Sequence, residues 1–201
     1  MTMATETVIL AAGDFPRKRS PAGRALAAAR RVVCCDGAAD AYRRRTGLAP
    51  TAVVGDLDSL AGDFPAAVCV RVAEQETNDL DKAIAYCRER GWRNPLILGA
   101  TGRREDHAIG NVFRALAAGL EILTDSGRFI PVTDRLELDV ARGTPISVFA
   151  PNPATRMTSR GLEWPLDGVR FDSLFRATLN RASAPRVALT TTHPVSVYVA
   201  H

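Results

Sequence analysis

Short apolar runs recur through the first half of the chain, and each stops at a polar loop. RVVCC ends at Asp36, TAVV at GDLDS (55–59), AVCVRV at EQETNDLDK (74–82) and PLIL at GATGRREDH (99–107). β-branched runs of this length, each followed by a loop and then a segment of helical period, predict parallel strands of an α/β sheet. The pattern places strands at 7–12, 32–35, 52–54, 68–72 and 96–98. It places helices at 22–30 and 38–45, a third opening at Asn78 and stopping at Gly91, and a fourth from Asp106 to Gly119. The fourth puts Ile109, Val112, Phe113 and Leu116 on one face.

Beyond Gly119 the helical period disappears. EILT, RFIPVT, LELDV, PISVFA, RVALTTT and VSVYVA follow, punctuated by Pro and Gly. The reading is an α/β, Rossmann-like parallel-sheet domain at 1–119, followed by a small all-β sandwich at 120–201.

The parallel sheet gives the polar loops their meaning. Carboxyl ends of parallel strands open on one edge, where ligands bind. Asp36, Asp56, Asp58, Asp79 and Asp106 are therefore expected along one crevice, with Lys82, Arg103 and Arg104 beside them. Carboxylates suit a hard cation, and cations neutralise phosphate oxygens, so the pattern suggests magnesium holding a polyphosphate. Asp56 and Asp58, two apart in an extended segment, face one side as metal ligands would. Asn78 is a good helix N-cap, and Asp81 a charge suited to that terminus. Lys82 opposes the helix dipole, which argues for a phosphate or acidic cluster nearby. Gly99 and Gly102 allow close backbone approach, and the helix start that follows offers N–H groups to an anion. The loop is neither a P-loop nor GxGxxG. His107 reads as a local hydrogen-bonding residue, with general base as its alternative.

Bulk properties narrow the classes. The net charge is +4, carried mostly by arginine. No aromatic residues interleave with the arginine runs, so nucleic-acid stacking is unsupported. No stretch approaches the ~20 apolar residues of a membrane span. The amino-terminal segment lacks the pattern of a signal peptide, which predicts a cytoplasmic protein. Cys34, Cys35, Cys69 and Cys87 show no metal-site spacing and read as buried thiols.

Taken in order, DGAAD (36–40), GDLDS, NDLDKA (78–83), GATGRREDHAIGN (99–111) and GLEWPL (161–166) resemble the motifs of the thiamine pyrophosphokinase family. The resemblance spans nearly the whole chain. It implies transfer of the pyrophosphoryl group of ATP to thiamine, giving thiamine diphosphate and AMP. It implies magnesium ligation by Asp56, Asp58 and Asp79 with Asp36 alongside, and phosphate contacts from Lys82 and Arg104. It places Asp106 at the nucleotide, Gln75 near substrate or phosphate, and Asn180 at the acceptor. It also implies a homodimer with thiamine in the cleft between subunits. The chain departs from the family pattern at Arg103 (usually Gly), Asn78 (usually Thr) and Leu179 (usually Ser). Trp164 reads as a packing residue of the β domain. A pyrophosphokinase for another alcohol, such as a hydroxymethylpterin, and a nucleotide-binding regulator without turnover are the competing readings.

Overall fold

The computed structural model describes residues 6–74 and 76–201. The chain folds as two compact units. One comprises residues up to 114 with 122–125, the other 115–121 with 126–201.

In the first unit, β1 (Thr7–Leu10), β2 (Arg31–Cys35), β3 (Ala52–Gly55), β4 (Cys69–Arg71), β5 (Leu96–Leu98) and β6 (Ile122–Leu123) form parallel pairs in the order β6-β5-β1-β2-β3-β4. The helices are α1 (Pro21–Ala28), α2 (Ala38–Thr46), α3 (Asp79–Glu89) and α4 (Glu105–Ala118). Val8, Leu10, Val32, Cys34 and Val53 meet Leu26, Ala39 and Tyr42 of α1 and α2 in one core. The intervening Ile9, Val33 and Val54 are as fully buried, and α3 packs on β1, β2 and β3. Strands covered on both faces must be apolar throughout, which is why these runs do not alternate. Each such Val, Leu or Ile contributes about 1.5–3 kcal/mol relative to an exposed side chain.

The helix ends follow the sequence. Ser20 Oγ accepts the Gly23 N–H at the start of α1, with Pro21 in the first turn. Asn78 Oδ1 accepts the Asp81 N–H at the start of α3. Gly47 closes α2 in the left-handed region, φ 73°.

Four details differ from the sequence pattern. EILT, read as the first segment of the β domain, supplies β6, paired in parallel with β5. Ile109 of α4 is 62% exposed, and Asn111 is buried instead. That helix turns an amide inward because Asn111 Nδ2 donates to the Ala100 carbonyl at 2.9 Å. Cys69 is only partly buried, because β4 is a short strand with partly exposed residues.

The second unit carries two antiparallel sheets. β7 (Gly127–Val132), β13 (Val195–Ala200), β9 (Pro145–Phe149) and β11 (Ala177–Arg181) make one, in the order β11-β9-β13-β7. The other is β10 (Met157–Arg160), β12 (Arg186–Thr191) and β8 (Arg135–Asp139). Val148, Val197, Leu138 and Leu189 join the two sheets in one core. MTSR and ATLNR, which supply β10 and β11, carry too few apolar positions to announce themselves. β11 is also interrupted by a register shift between Ala177 and Asn180.

The strand order reverses at β1, with β2 on one side and β5 on the other. Ligands bind beyond the carboxyl ends of strands at such a point. The two loops there are tied together: Gly13 N–H donates to Gly99 O at 2.7 Å, and Asp14 N–H to Thr101 O at 2.8 Å. A Cβ on Gly13 would lie 2.3 Å from Thr101 O and 2.4 Å from Gly99 O, both backbone atoms. Gly13→Ala is therefore expected to lower stability by about 2 kcal/mol or more. Urea denaturation checks this, and an unchanged midpoint would contradict the close approach.

Candidate functional site

Gly55, the last residue of β3, is the centre of the acidic edge. A Cβ there would lie 2.9 Å from Asp36 Cβ and 3.1 Å from Asp79 Oδ1. Asp36 follows β2, and Asp79 opens α3. The Cys35 thiol points at the Asp79 carbonyl, 3.5 Å away, fixing the start of α3 beside the end of β2.

Asp36 is 3% exposed and has φ 24°. Its Oδ2 accepts the Ser59 N–H at 3.1 Å. Its Oδ1 is buried with no hydrogen-bond partner among the described residues. Burial pushes the Asp36 carboxyl above its ordinary range, and the Asp79 and Asp56 carboxylates push the same way; the Ser59 N–H opposes them. Asp79 is also raised, first by burial and then by Asp56, against the pull of Lys82 and His107. Asp36, Asp56 and Asp79 are thus mutually repelling carboxylates.

Lys82 is buried on α3, with Nζ 3.9 Å from Asp79 Oδ1. The first-turn lysine that opposes the helix dipole therefore faces an acid, as its position suggested. Asp81 forms a 2.7 Å pair with Arg114 of α4.

The GDLDS loop is held by its neighbours. Besides the Ser59 bond, Asp40 accepts the N–H groups of Ala61 and Gly62, both at 2.9 Å. Asp56 Oδ1 accepts the Asp58 N–H at 3.2 Å, and the Asp58 side chain is exposed. Leu57 between them has φ 67°, a left-handed residue that breaks the extended alternation expected to align the two acids.

The 99–104 loop also has left-handed backbone. Gly102 has φ 80° and Arg103 φ 57°. Arg103 takes a conformation that costs a non-glycine residue roughly 1–2 kcal/mol, and its guanidinium reaches the Ala12 carbonyl at 3.2 Å. Arg104 is committed to Asp106, at 3.1 and 2.5 Å. That pairing holds the exposed Asp106 carboxyl down at about 2. These two residues stand as an ion pair at the start of α4.

Asn111 is a positioning residue that helix periodicity alone passed over. Its side chain joins Ala100 O of the 99–104 loop to Asn78 Nδ2, the latter at 3.4 Å. The signal was a lone amide among the apolar positions of α4. Gln75 lies outside the described residues. Glu74 beside it accepts the N–H groups of Glu76 and Thr77.

In the second unit, Trp164, Pro165, Leu166, Arg176, Leu179 and Asn180 help line a cavity of ≈430 Å³. Trp164, read from the sequence as a packing residue of the β domain, is 52% exposed. Arg181 stands 5.5 Å from its ring and pairs with Glu163 at 2.7 Å. Asn180 is buried with both ends of its amide engaged. Nδ2 donates to Trp164 O at 2.7 Å, and Oδ1 accepts from Trp164 N and Arg181 N. Leu179 projects beside it, 87% exposed with φ 64°. The bulge in β11 turns Asn180 inward and Leu179 outward.

Among the described residues no group of three or more His, Cys, Asp or Glu side chains is placed to hold a metal ion as it stands. The buried, unpartnered Asp36 oxygen and the crowded carboxylates fit a hard cation in donor chemistry. No helix among the described residues is long and apolar enough to cross a membrane.

Comparison with known proteins gives the family of the chain. The family model described as the thiamin pyrophosphokinase catalytic domain matches residues 22–122. The model of that family's substrate-binding domain matches 127–198. Thiamine pyrophosphokinase 1 of Arabidopsis thaliana is 30% identical over 159 residues, covering 67% of this chain and 60% of that protein. The chain thus matches less than two thirds of the length of that curated relative. Among solved structures, a thiamin pyrophosphokinase family protein from Enterococcus faecalis aligns with TM-score 0.76 and 14% identity, over 98% of this chain and 99% of that one. Thiamin pyrophosphokinase from Candida albicans aligns with TM-score 0.76 and 12% identity, over 100% and 94%. At these identities the structures establish a shared fold. The two family models cover both units, and the chain belongs to the thiamin pyrophosphokinase family.

Proposed function

We propose that the chain transfers the pyrophosphoryl group of ATP to the hydroxyl of thiamine, giving thiamine diphosphate and AMP. The observation that carries this reading is the cluster of Asp36, Asp56 and Asp79 around Gly55, at the carboxyl edge of a sheet matched by the family's catalytic model. Asp56, Asp58 and Asp79 would hold magnesium, with Asp36 beside them. When bound, the cation draws negative charge from the phosphate oxygens and the leaving AMP. Lys82 faces the same cluster and supplies a fixed positive charge. Arg104 would reach phosphate by exchanging its Asp106 partner. Gly99, Gly102 and Arg103 shape the loop that approaches the nucleotide. The protein's part is chiefly positioning and charge neutralisation, because the acceptor is a neutral alcohol.

The acceptor pocket is proposed at Trp164. Thiamine is a cation with flat rings, and an exposed indole attracts such a ring. Asn180 acts here through Trp164, whose backbone it clamps on both sides. The protein is proposed to work in the cytoplasm as a homodimer, each acceptor pocket serving an acidic edge.

Incubation with ATP, magnesium and thiamine tests the reaction class. AMP and thiamine diphosphate are expected in equal amounts, whereas ADP with thiamine monophosphate would refute it. Turnover on a hydroxymethylpterin but not thiamine would move the assignment to the competing acceptor.

The two halves of the site are separable by kinetics. Asp56→Asn is expected to lower kcat roughly a hundredfold, a loss of about 2.7 kcal/mol of transition-state stabilisation. Trp164→Ala should raise the KM for thiamine about tenfold and leave that for ATP within about twofold. Equal effects of Trp164→Ala on both substrates would contradict the pocket.

The homodimer has its own test. If each site draws its acid edge and its indole from different chains, co-expressed Asp56→Asn and Trp164→Ala chains should recover activity above either parent. A monomer by light scattering, or mixed dimers no more active than the parents, would rule this out.

A further inference from the structure

A second cavity lies in the first unit, between α1, α2 and the segment that follows Asp14. Its volume is ≈670 Å³, within the range of small-molecule sites. Leu26, Tyr42 and Phe15 give it an apolar floor, and Leu48, 60% exposed, stands at its edge. Arg17, Lys18 and Arg45 line it, and no Asp or Glu does.

The state of those cations gives the cavity its preference. Arg17 is held by Asp125 at 2.9 Å. Lys18 has no ion pair or hydrogen bond among the described residues, and it is exposed. Arg45 has no carboxylate partner there; its guanidinium stands 5.6 Å from the Phe15 ring. Lys18 and Arg45 therefore present positive charge over an apolar floor with nothing to balance it. Arg45 and Leu48 lie at the carboxyl end of α2, roughly 12 Å along the helix from the Asp36 end. The cavity is thus separate from the acidic edge, and its charge has the opposite sign.

We propose that this groove binds a small organic anion with a flat aromatic body. The ring lies on Leu26 and Tyr42 beside Phe15. The anionic group meets Lys18 and Arg45, where charge-assisted hydrogen bonds supply the orientation. A neutral arene satisfies the floor and leaves the cations unpaired. A bare inorganic anion satisfies the cations and leaves the floor wet. Only the combination uses both features.

The probe is naphthalene-2-sulfonate, titrated against the full chain by fluorescence. Saturable binding is expected, at least about tenfold tighter than that of neutral 2-naphthol. The charge reversals Lys18→Glu and Arg45→Glu, made together, should weaken it by a similar factor. Ala27→Phe should do the same by filling the groove, since Ala27 is exposed and lines it. All three positions are on the surface, and melting curves check that the variants fold. If the charge reversals disturb folding, Lys18→Gln with Arg45→Gln should still weaken binding about threefold. Saturating ATP with magnesium should leave binding intact. Absence of saturable binding, equal affinity for 2-naphthol, survival of binding in a folded variant, or displacement by ATP would each overturn the proposal.

Discussion

Three carboxylates are held together at the end of a parallel sheet against their own repulsion, and the chemistry of the chain depends on that constraint. Gly55 makes it possible. Any side chain there would meet Asp36 and Asp79. Backbone supplies part of the restraint. Ser59 N–H holds one Asp36 oxygen, and the chain turn at Asp36 buries the other. Burial and neighbouring charge raise both Asp36 and Asp79. Such an arrangement costs stability unless a positive charge offsets it, which is the electrostatic basis of the proposed cation site. Lys82 offsets part of the repulsion from inside α3.

The second constraint is the contact between the loops after β1 and β5. Gly13 and Asp14 bond to Gly99 and Thr101, and Asn111 ties the same loop to the cap of α3. The loop read as phosphate-approaching is thereby joined to the helix that carries Asp79 and Lys82. Arg103 shows how far the backbone geometry is fixed. Arg103 occupies a left-handed position that glycine adopts at less cost, and the loop holds it there.

Much of this was legible in the sequence, for definite reasons. Strands buried on both faces write themselves as apolar runs, so β1, β2, β3 and β5 were readable. Asn78 and Gly47 mark helix ends because capping has a chemical signature. Clustering of Asp36, Asp56 and Asp79 followed from topology alone, since parallel strands share one carboxyl edge. What escaped was set by three-dimensional context. Helical period put Ile109 inward, but the Ala100 carbonyl needed a donor, and Asn111 turned in instead. Leu179 and Asn180 could not be told apart as outward and inward residues, because the β11 bulge that sorts them leaves no period in the sequence. Asp106 pairs with Arg104 two residues away, a short-range contact that the motif spacing does not announce.

The proposed cation site implies that the Asp36 charge opposes folding until a cation neutralises the edge. The sign follows from linkage. A carboxyl raised in the folded state keeps a proton that the unfolded chain has lost, so its contribution to stability falls as pH rises from the ordinary carboxylate value, 3.8, through the raised one. The decisive measurement is thermal unfolding of the wild-type chain and Asp36→Asn, without and with magnesium, at about pH 4 and about pH 7. Without magnesium the variant should be the more stable at about pH 7, with the gain shrinking toward about pH 4, and magnesium should raise the melting temperature of the wild type more than that of the variant. An Asp36→Asn chain less stable than the wild type at neutral pH without magnesium would contradict the account.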